Sequence, residues 1–251
     1  VTESRSPSSS RPERAFLDAN VIVGQLTTNI LLSLAEHDVL DPRWSQGVIE
    51  EMRRHTPKAV PADRIDRRIE AMNGAFPHAM TGDHPKGLED QMVADAKDRH
   101  VLAAAVYSES DVLVTENVKD FKPPANGPHA MRVEKLSQFL VRKLTEDTER
   151  VTAAMQQMVA NNRFDPRTMP ALLDKMARLR ELRAFAQKLN DKVPDEQKGT
   201  APVLTANVRG SAHHAALTAV VPPGTPHAPE ATPEASKPTG QSQEKSSQQE
   251  L

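Results

Sequence analysis

The chain has 251 residues, no cysteine, a formal net charge of −2 and 26% charged residues. The cysteine count excludes disulfides and thiolate metal sites, and the near-neutral balance argues against a protein whose main task is wrapping duplex DNA. No apolar run approaches the roughly 20 residues of a membrane helix, and the Ser-, Pro- and Arg-rich start has no signal-peptide core. The expectation is a soluble cytoplasmic protein without membrane contact.

Residues 1–13 read as a disordered arm. The apolar run Ala15-Phe16-Leu17, stopped by Asp18, reads as a buried strand. Thr28 to His37 carries Ile30, Leu31, Leu34 and Ala35 at helical spacing. Ser45 is a preferred N-cap residue, with Val48, Ile49 and Met52 forming an apolar stripe behind it. Pro61 to Met72 repeats the pattern with Ile65, Ile69 and Met72. Asp98 opens a helix through Ala105, Asp111 to Thr115 is a strand, Met131 to Val133 another, and Leu136 to Leu144 a helix.

Strands alternating with helices predict an α/β fold, with a central parallel sheet covered on both faces. In such sheets the functional crevice lies beyond the carboxyl ends of the strands. Asp18 and Asn117 both sit just past a predicted strand, on that edge. This domain is assigned residues 14–144. Residues 145–192 read as a helical hairpin. Val151, Met155 and Met158 mark its first helix. Thr168 caps the second, whose stripe runs from Leu172 through Leu173, Met176, Leu179, Leu182 and Phe185 to Leu189. That stripe would also suit a homodimer interface. Residues 193–251 are rich in Pro, Ser and Gln and poor in large apolar side chains. They read as a disordered tail, because they cannot bury enough apolar surface to offset the entropy of ordering.

The candidate chemistry lies in four separated stretches with carboxylates: Asp18, Glu51, Asp98 and Asp120, with Asp95 nearby. Mg2+ prefers hard oxygen ligands, and phosphoryl chemistry at one or two such ions needs acids converging from separate segments. Taken singly, each acid has an ordinary reading. Asp18 ends a strand, Glu51 sits beside Glu50 on a helix, Asp98 is a helix cap, and Asp120 is a loop acid. Thr115 and Asn117 are common turn residues. His100 reads as a packed or hydrogen-bonded residue. The joint pattern points to metal-dependent cleavage of a phosphodiester. Lys97, Arg99, Lys119 and Lys122 flank two of the acids, and Arg53 and Arg54 follow Glu51.

Five stretches carry a resemblance: Leu17-Asp18-Ala19-Asn20-Val21; Pro42-Arg43-Trp44-Ser45 with Glu51; Phe76-Pro77-His78-Ala79; Asp95 to Ala105; and Val114-Thr115-Glu116-Asn117-Val118-Lys119-Asp120-Phe121. In this order, over about residues 15–140, they resemble the PIN domain family, specifically its VapC-like branch with a helical C-terminal extension. The resemblance implies a Rossmann-like three-layer α/β/α fold and a Mg2+ or Mn2+ ribonuclease site. It places the metal-holding and catalytic acids at Asp18, Glu51, Asp98 and Asp120. Asn20, Thr115, Asn117 and Asp95 are implied as supporting residues. The expected grouping is Asp18, Asp98 and Asp120 around one metal, with Glu51 completing or bridging. RNA is the implied substrate, and a cognate antitoxin protein the implied partner in a type II toxin–antitoxin pair. The sequence departs from the family pattern at Asn117, where some members carry Asp. That departure motivates the alternative of a PIN-like RNA-binding or regulatory protein with little catalysis. A phosphotransferase with Asp18 as nucleophile is disfavoured by Asn20, since the haloacid dehalogenase type would carry a second Asp there. A dinucleotide fold is disfavoured because no Gly-rich turn follows the first strand.

Overall fold

The structure, a computed structural model, describes residues 11–205 except Lys86, Ala125 and Pro128. β1 (Glu13–Leu17) is the strand on which the rest is hung. Its Ala15, Phe16 and Leu17 are all fully buried, as a strand covered on both faces requires. The chain turns through the short α1 (Ala19–Ile22) into α2 (Gln25–Glu36) and returns as β2 (Leu40–Arg43), parallel to β1. α3 (Gln46–His55) starts at Ser45, whose Oγ accepts the Val48 N–H at 3.3 Å. Then come α4 (Ala62–Ala75), β3 (Val93–Ala94), α5 (Arg99–Tyr107), β4 (Val112–Val114), β5 (Phe121–Lys122), β6 (Arg132–Glu134) and α6 (Leu136–Glu146).

The main sheet has the order β2-β1-β4-β6, with every pairing parallel. The connection after β1 runs towards β2, and that after β4 runs the other way, towards β6. Adjacent strands whose connections part in this manner open a crevice at their carboxyl ends. Right-handed crossovers then place α2 and α5 on opposite faces, which gives the expected three-layer α/β/α architecture. The pairing continues one residue past the strands. The Asp18 N–H donates to Val114 O at 3.1 Å, and the Thr115 N–H to Glu134 O at 3.0 Å. Asp18 and Thr115 therefore stand side by side at the mouth of the crevice.

Several elements differ from expectation. β2 is absent from the sequence reading because Asp41-Pro42 interrupts it. Proline lacks a ladder donor, and β2 tolerates it because it is the edge strand. α2 begins three residues before Thr28, and α4 ends three beyond Met72. β3 and β5 form a separate antiparallel ribbon, with Ala94 opposite Phe121.

Residues 145–192 are not a simple hairpin. They form α7 (Thr148–Asn161), α8 (Met169–Arg178) and α9 (Arg183–Asn190). Thr168 caps α8 as expected, accepting the Ala171 N–H at 3.4 Å. The second predicted helix breaks after Arg178, and Arg183 Nε donates to Ala177 O at 3.1 Å, satisfying a helix-end carbonyl. Folding back lets both halves of the stripe bury: Leu172, Leu173 and Met176 before the break, Leu182, Phe185 and Leu189 after it. α8 and α9 pack together, α9 packs on α6, and α7 packs on α2 and α6.

The disordered tail expected from residue 193 is also corrected over its first part. Val193 and Leu204 are buried, and Pro202–Thr205 form a short α10. The Asp174 carboxylate accepts the N–H groups of Thr200 and Ala201 at 2.6 and 2.7 Å and the Thr200 hydroxyl at 2.6 Å. These bonds give a polar segment the anchoring that its own apolar content does not supply. The arm is ordered from its end as well. The Arg11 guanidinium holds both oxygens of Asp111 at 2.8 and 2.9 Å, and Glu13 belongs to β1. The expectations for residues 1–10 and 206–251 lie outside the described residues.

Candidate metal centre

Asp18 is 5% exposed. Its Oδ2 accepts the Thr115 hydroxyl at 2.6 Å and the Asn20 side-chain amide at 2.7 Å. That amide also reaches Thr115 Oγ1 at 3.1 Å, while Asn20 Oδ1 accepts the Glu116 N–H at 3.1 Å. Thr115 Oγ1 in turn accepts the Asn117 N–H at 3.0 Å. The ends of β1 and β4 are thus stitched together around one carboxylate. α1 has a part in this, because its first turn carries Asn20.

Asp98 immediately precedes α5, where a cap would stand, yet its side chain makes no cap hydrogen bond. Its Oδ2 is buried and meets no donor. The nearest cation, Lys97 Nζ, is 3.9 Å away. Burial raises the Asp98 pKa above the usual carboxylate range; Lys97 opposes this, and Asp120, Glu51 and Asp95 add to it. Asp18 is raised as well, first by burial. Hydrogen bonds from Thr115 and Ala19 offset part of that, and Glu51 and Asp98 push it further up. Repulsion of this kind means the acids share one field.

Asp18, Asn20, Glu51, Asp98 and Asn117 line a single crevice of about 400 Å³. Glu51 comes from α3, one face of which is buried through Val48, Ile49 and Met52. Lys97 and His55 line the same crevice. His55 was missed in the sequence, although it lies one helical turn beyond Glu51 on α3. Among the other basic candidates, Arg54 Nη2 lies 3.6 Å from Glu51, Arg53 is paired with Asp66, and Arg99 Nε donates to Ala94 O at 3.4 Å.

Asp120 is not among the residues lining that crevice. The β3–β5 ribbon sets it beside Asp95, whose N–H points to Asp120 O at 3.4 Å. Carboxylate oxygens of Asp95, Asp98 and Asp120 lie within 4.8 Å of one another. Of the expected trio, Asp18 and Asp98 line the crevice, and Asp98 and Asp120 are neighbours beside Asp95. Asp98 is common to both groups, lining the crevice with Asp18 and Glu51 and standing close to Asp95 and Asp120. Asp95, expected as a supporting residue, stands there as an equal carboxylate.

The donor set of carboxylates and an amide is all hard oxygen, without sulfur, and suits a hard divalent cation rather than a softer metal. The buried, donorless Asp98 oxygen fits a cation at this place.

The PIN domain model matches residues 14–119. Over 103 residues the chain is 34% identical to "Putative ribonuclease VapC50" of Mycobacterium tuberculosis (strain ATCC 25618 / H37Rv). That alignment covers 40% of this chain, which spans 61% of the relative's length. No solved structure matches the chain significantly. The matched span runs from the second residue of β1 to just past β4 and contains Asp18, Glu51 and Asp98. Residues 14–119 are thus the part of this chain that is similar to the PIN domain family.

Proposed function

We propose that the chain is a metal-dependent endoribonuclease that hydrolyses RNA phosphodiester bonds, using Asp18, Glu51, Asp98 and Asp120 to hold Mg2+ or Mn2+. The observation that carries this reading is the Asp98 carboxylate, with one oxygen buried and without a donor, close to Asp95 and Asp120 and lining one crevice with Asp18 and Glu51. An uncompensated buried charge is costly, and a cation relieves it. When bound, such an ion polarises the phosphate and lowers the pKa of a water.

The chain's own residues do the rest. Asn20 and Thr115 fix Asp18 in one orientation at the crevice mouth. Asn117 presents a neutral amide to the crevice and can donate to a phosphate oxygen. Lys97 brings a positive charge for the polynucleotide backbone. Asp95 adds a further carboxylate beside Asp98 and Asp120 that a cation would draw in. RNA is favoured over other phosphodiesters by the similarity to a relative named as a ribonuclease.

The motif resemblance extends the proposal to the toxin half of a type II toxin–antitoxin pair, with a cognate antitoxin protein as partner and a homodimer as its assembly. Controlled expression of the full chain should arrest growth, and Asp98→Asn should abolish the arrest. Equal growth inhibition by both chains would sink the catalytic-toxin claim.

A second reading is favoured by one residue. The crevice wall after β4 ends in Asn117 rather than an acid, while Asp120 is turned to Asp95. A PIN-like RNA-binding protein with weak or no catalysis would bind RNA equally well with Asp18→Asn and would yield no product with Mn2+.

A further inference from the structure

Gly47 sits in the first turn of α3. Glycine is a poor helix former, and no positive φ calls for it at this position. A Cβ at residue 47 would lie 2.9 Å from His100 Nδ1 and 3.3 Å from its Cε1. The imidazole edge thus takes the place of a side chain. The other ring nitrogen, Nε2, lies 3.3 Å from Glu51 Oε1, one turn along α3 from Gly47. A carboxylate can only accept, so Nε2 carries the hydrogen. Arg54 Nη2 approaches the same oxygen at 3.6 Å. Among the described residues both approaches to the Glu51 carboxylate are to Oε1, and no hydrogen bond engages Oε2. His100 belongs to the first turn of α5, two residues after Asp98. The ring therefore ties together the two helices that bring Glu51 and Asp98 to the crevice.

We propose that His100 is a positioning residue for Glu51. It holds Oε1 at the seam between α3 and α5 and leaves Oε2 for a divalent cation, and Gly47 is the space its ring requires. The inference rests on the reading of Glu51 as a metal-holding acid. A hydrogen-bonded outer partner of a metal-holding carboxylate typically matters by about 10–100-fold in affinity. An unheld Glu51 must give up side-chain freedom each time it binds.

The test is Mn2+ titration calorimetry on the full chain, comparing wild type with E51Q, H100F, H100Q and G47A, each also melted in chelator. H100F keeps a ring and removes the donor; H100Q restores a donor; G47A moves the ring from the opposite helix. The expected result is Mn2+ binding weakened about 10-fold or more in H100F and G47A and largely recovered in H100Q, with chelator melts close to wild type. Weakened binding in E51Q with unchanged binding in both H100F and G47A overturns the positioning role alone. Equal weakening in H100F and H100Q overturns the donor claim. Unchanged binding in E51Q overturns the metal role of Glu51, and the positioning role falls with it.

Discussion

Asp98 concentrates the cost of the metal-free crevice. A cap at the start of α5 would point its oxygen at backbone donors; instead Oδ2 is buried beside other acids. Asp98→Asn keeps the shape and removes the charge. In chelator this variant should melt higher than wild type, by about 2–4 °C for each kcal/mol of repulsion relieved in a chain of this size. It should also lose most of the stabilisation that Mn2+ gives the wild type by linkage. Thermal melts with and without Mn2+ read both effects. The pH dependence follows from the raised pKa values of Asp18 and Asp98. A carboxylate with a folded pKa above its unfolded value binds its proton more tightly when folded. Its contribution is fully present below the unfolded pKa and is lost as pH rises through the folded one. Chelator melts from about pH 4 towards neutrality should therefore show these two acids drawing stability down, and both Asp18→Asn and Asp98→Asn should flatten the fall. Asp18 and Asp98 were legible in the sequence because a strand end and a helix start bracket the sheet edge. The place of Glu51 in the crevice was legible only through the resemblance carried by the Pro42-to-Ser45 stretch. The Asp95–Asp120 pairing was not, since it depends on a ribbon of two residues per strand, too short to leave a periodic pattern.

At the scale of elements, α4 fixes the short α1 that carries Asn20. The Arg68 guanidinium reaches Val23 O at 3.0 Å and Gly24 O at 3.3 Å, and also meets Ile22 O and the Thr28 hydroxyl. The Ile22 and Val23 carbonyls lie at the end of a one-turn helix, where intrahelical donors run out, and Thr28 shares in holding Ile22 O and Gly24 O. Arg68→Met should cost about 2 kcal/mol in urea unfolding, the scale of hydrogen bonds to a charged group. It should also slow RNA cleavage, because Asn20 loses its fixed place beside Asp18. The segment after α9 offers a second check. Leu204, the buried residue of α10, is 1% exposed, so Leu204→Ala should destabilise by about 2–3 kcal/mol without altering Mn2+ affinity. β1, α5 and β4 were readable because apolar runs of the right length end at Asp or a turn. β2 was hidden by Pro42 and by its place at the edge. The break between α8 and α9 was hidden because the apolar stripe runs through it unbroken; only the packing of the two halves on each other and on α6 decides where the chain turns.

For the molecule as a whole, the sheet has two unlike ends. At the amino end of the strands, Glu13 is surrounded by Arg132, Arg142 and Lys143, and Arg142 also bridges to Glu134 and Glu146. Charges there are paired within the protein. At the carboxyl end the acids outnumber their partners, and the crevice is left to attract a cation. Among the described residues no helix is long and apolar enough to cross a membrane. α7 extends the core against α2 and α6, and α9 packs on α6, while Asp18 and Asp98 line the crevice. The central claim is that this acid-lined crevice cleaves RNA with a divalent ion. The most direct measurement is the rate of cleavage of a panel of structured RNAs by the full chain with Mg2+ or Mn2+, wild type against Asp98→Asn, with chelator as control. The account predicts discrete products from wild type, none in chelator, and a loss of about 100-fold or more in the variant. Wild-type cleavage that persists in chelator, equal rates from the two chains, or RNA binding without any product would contradict it.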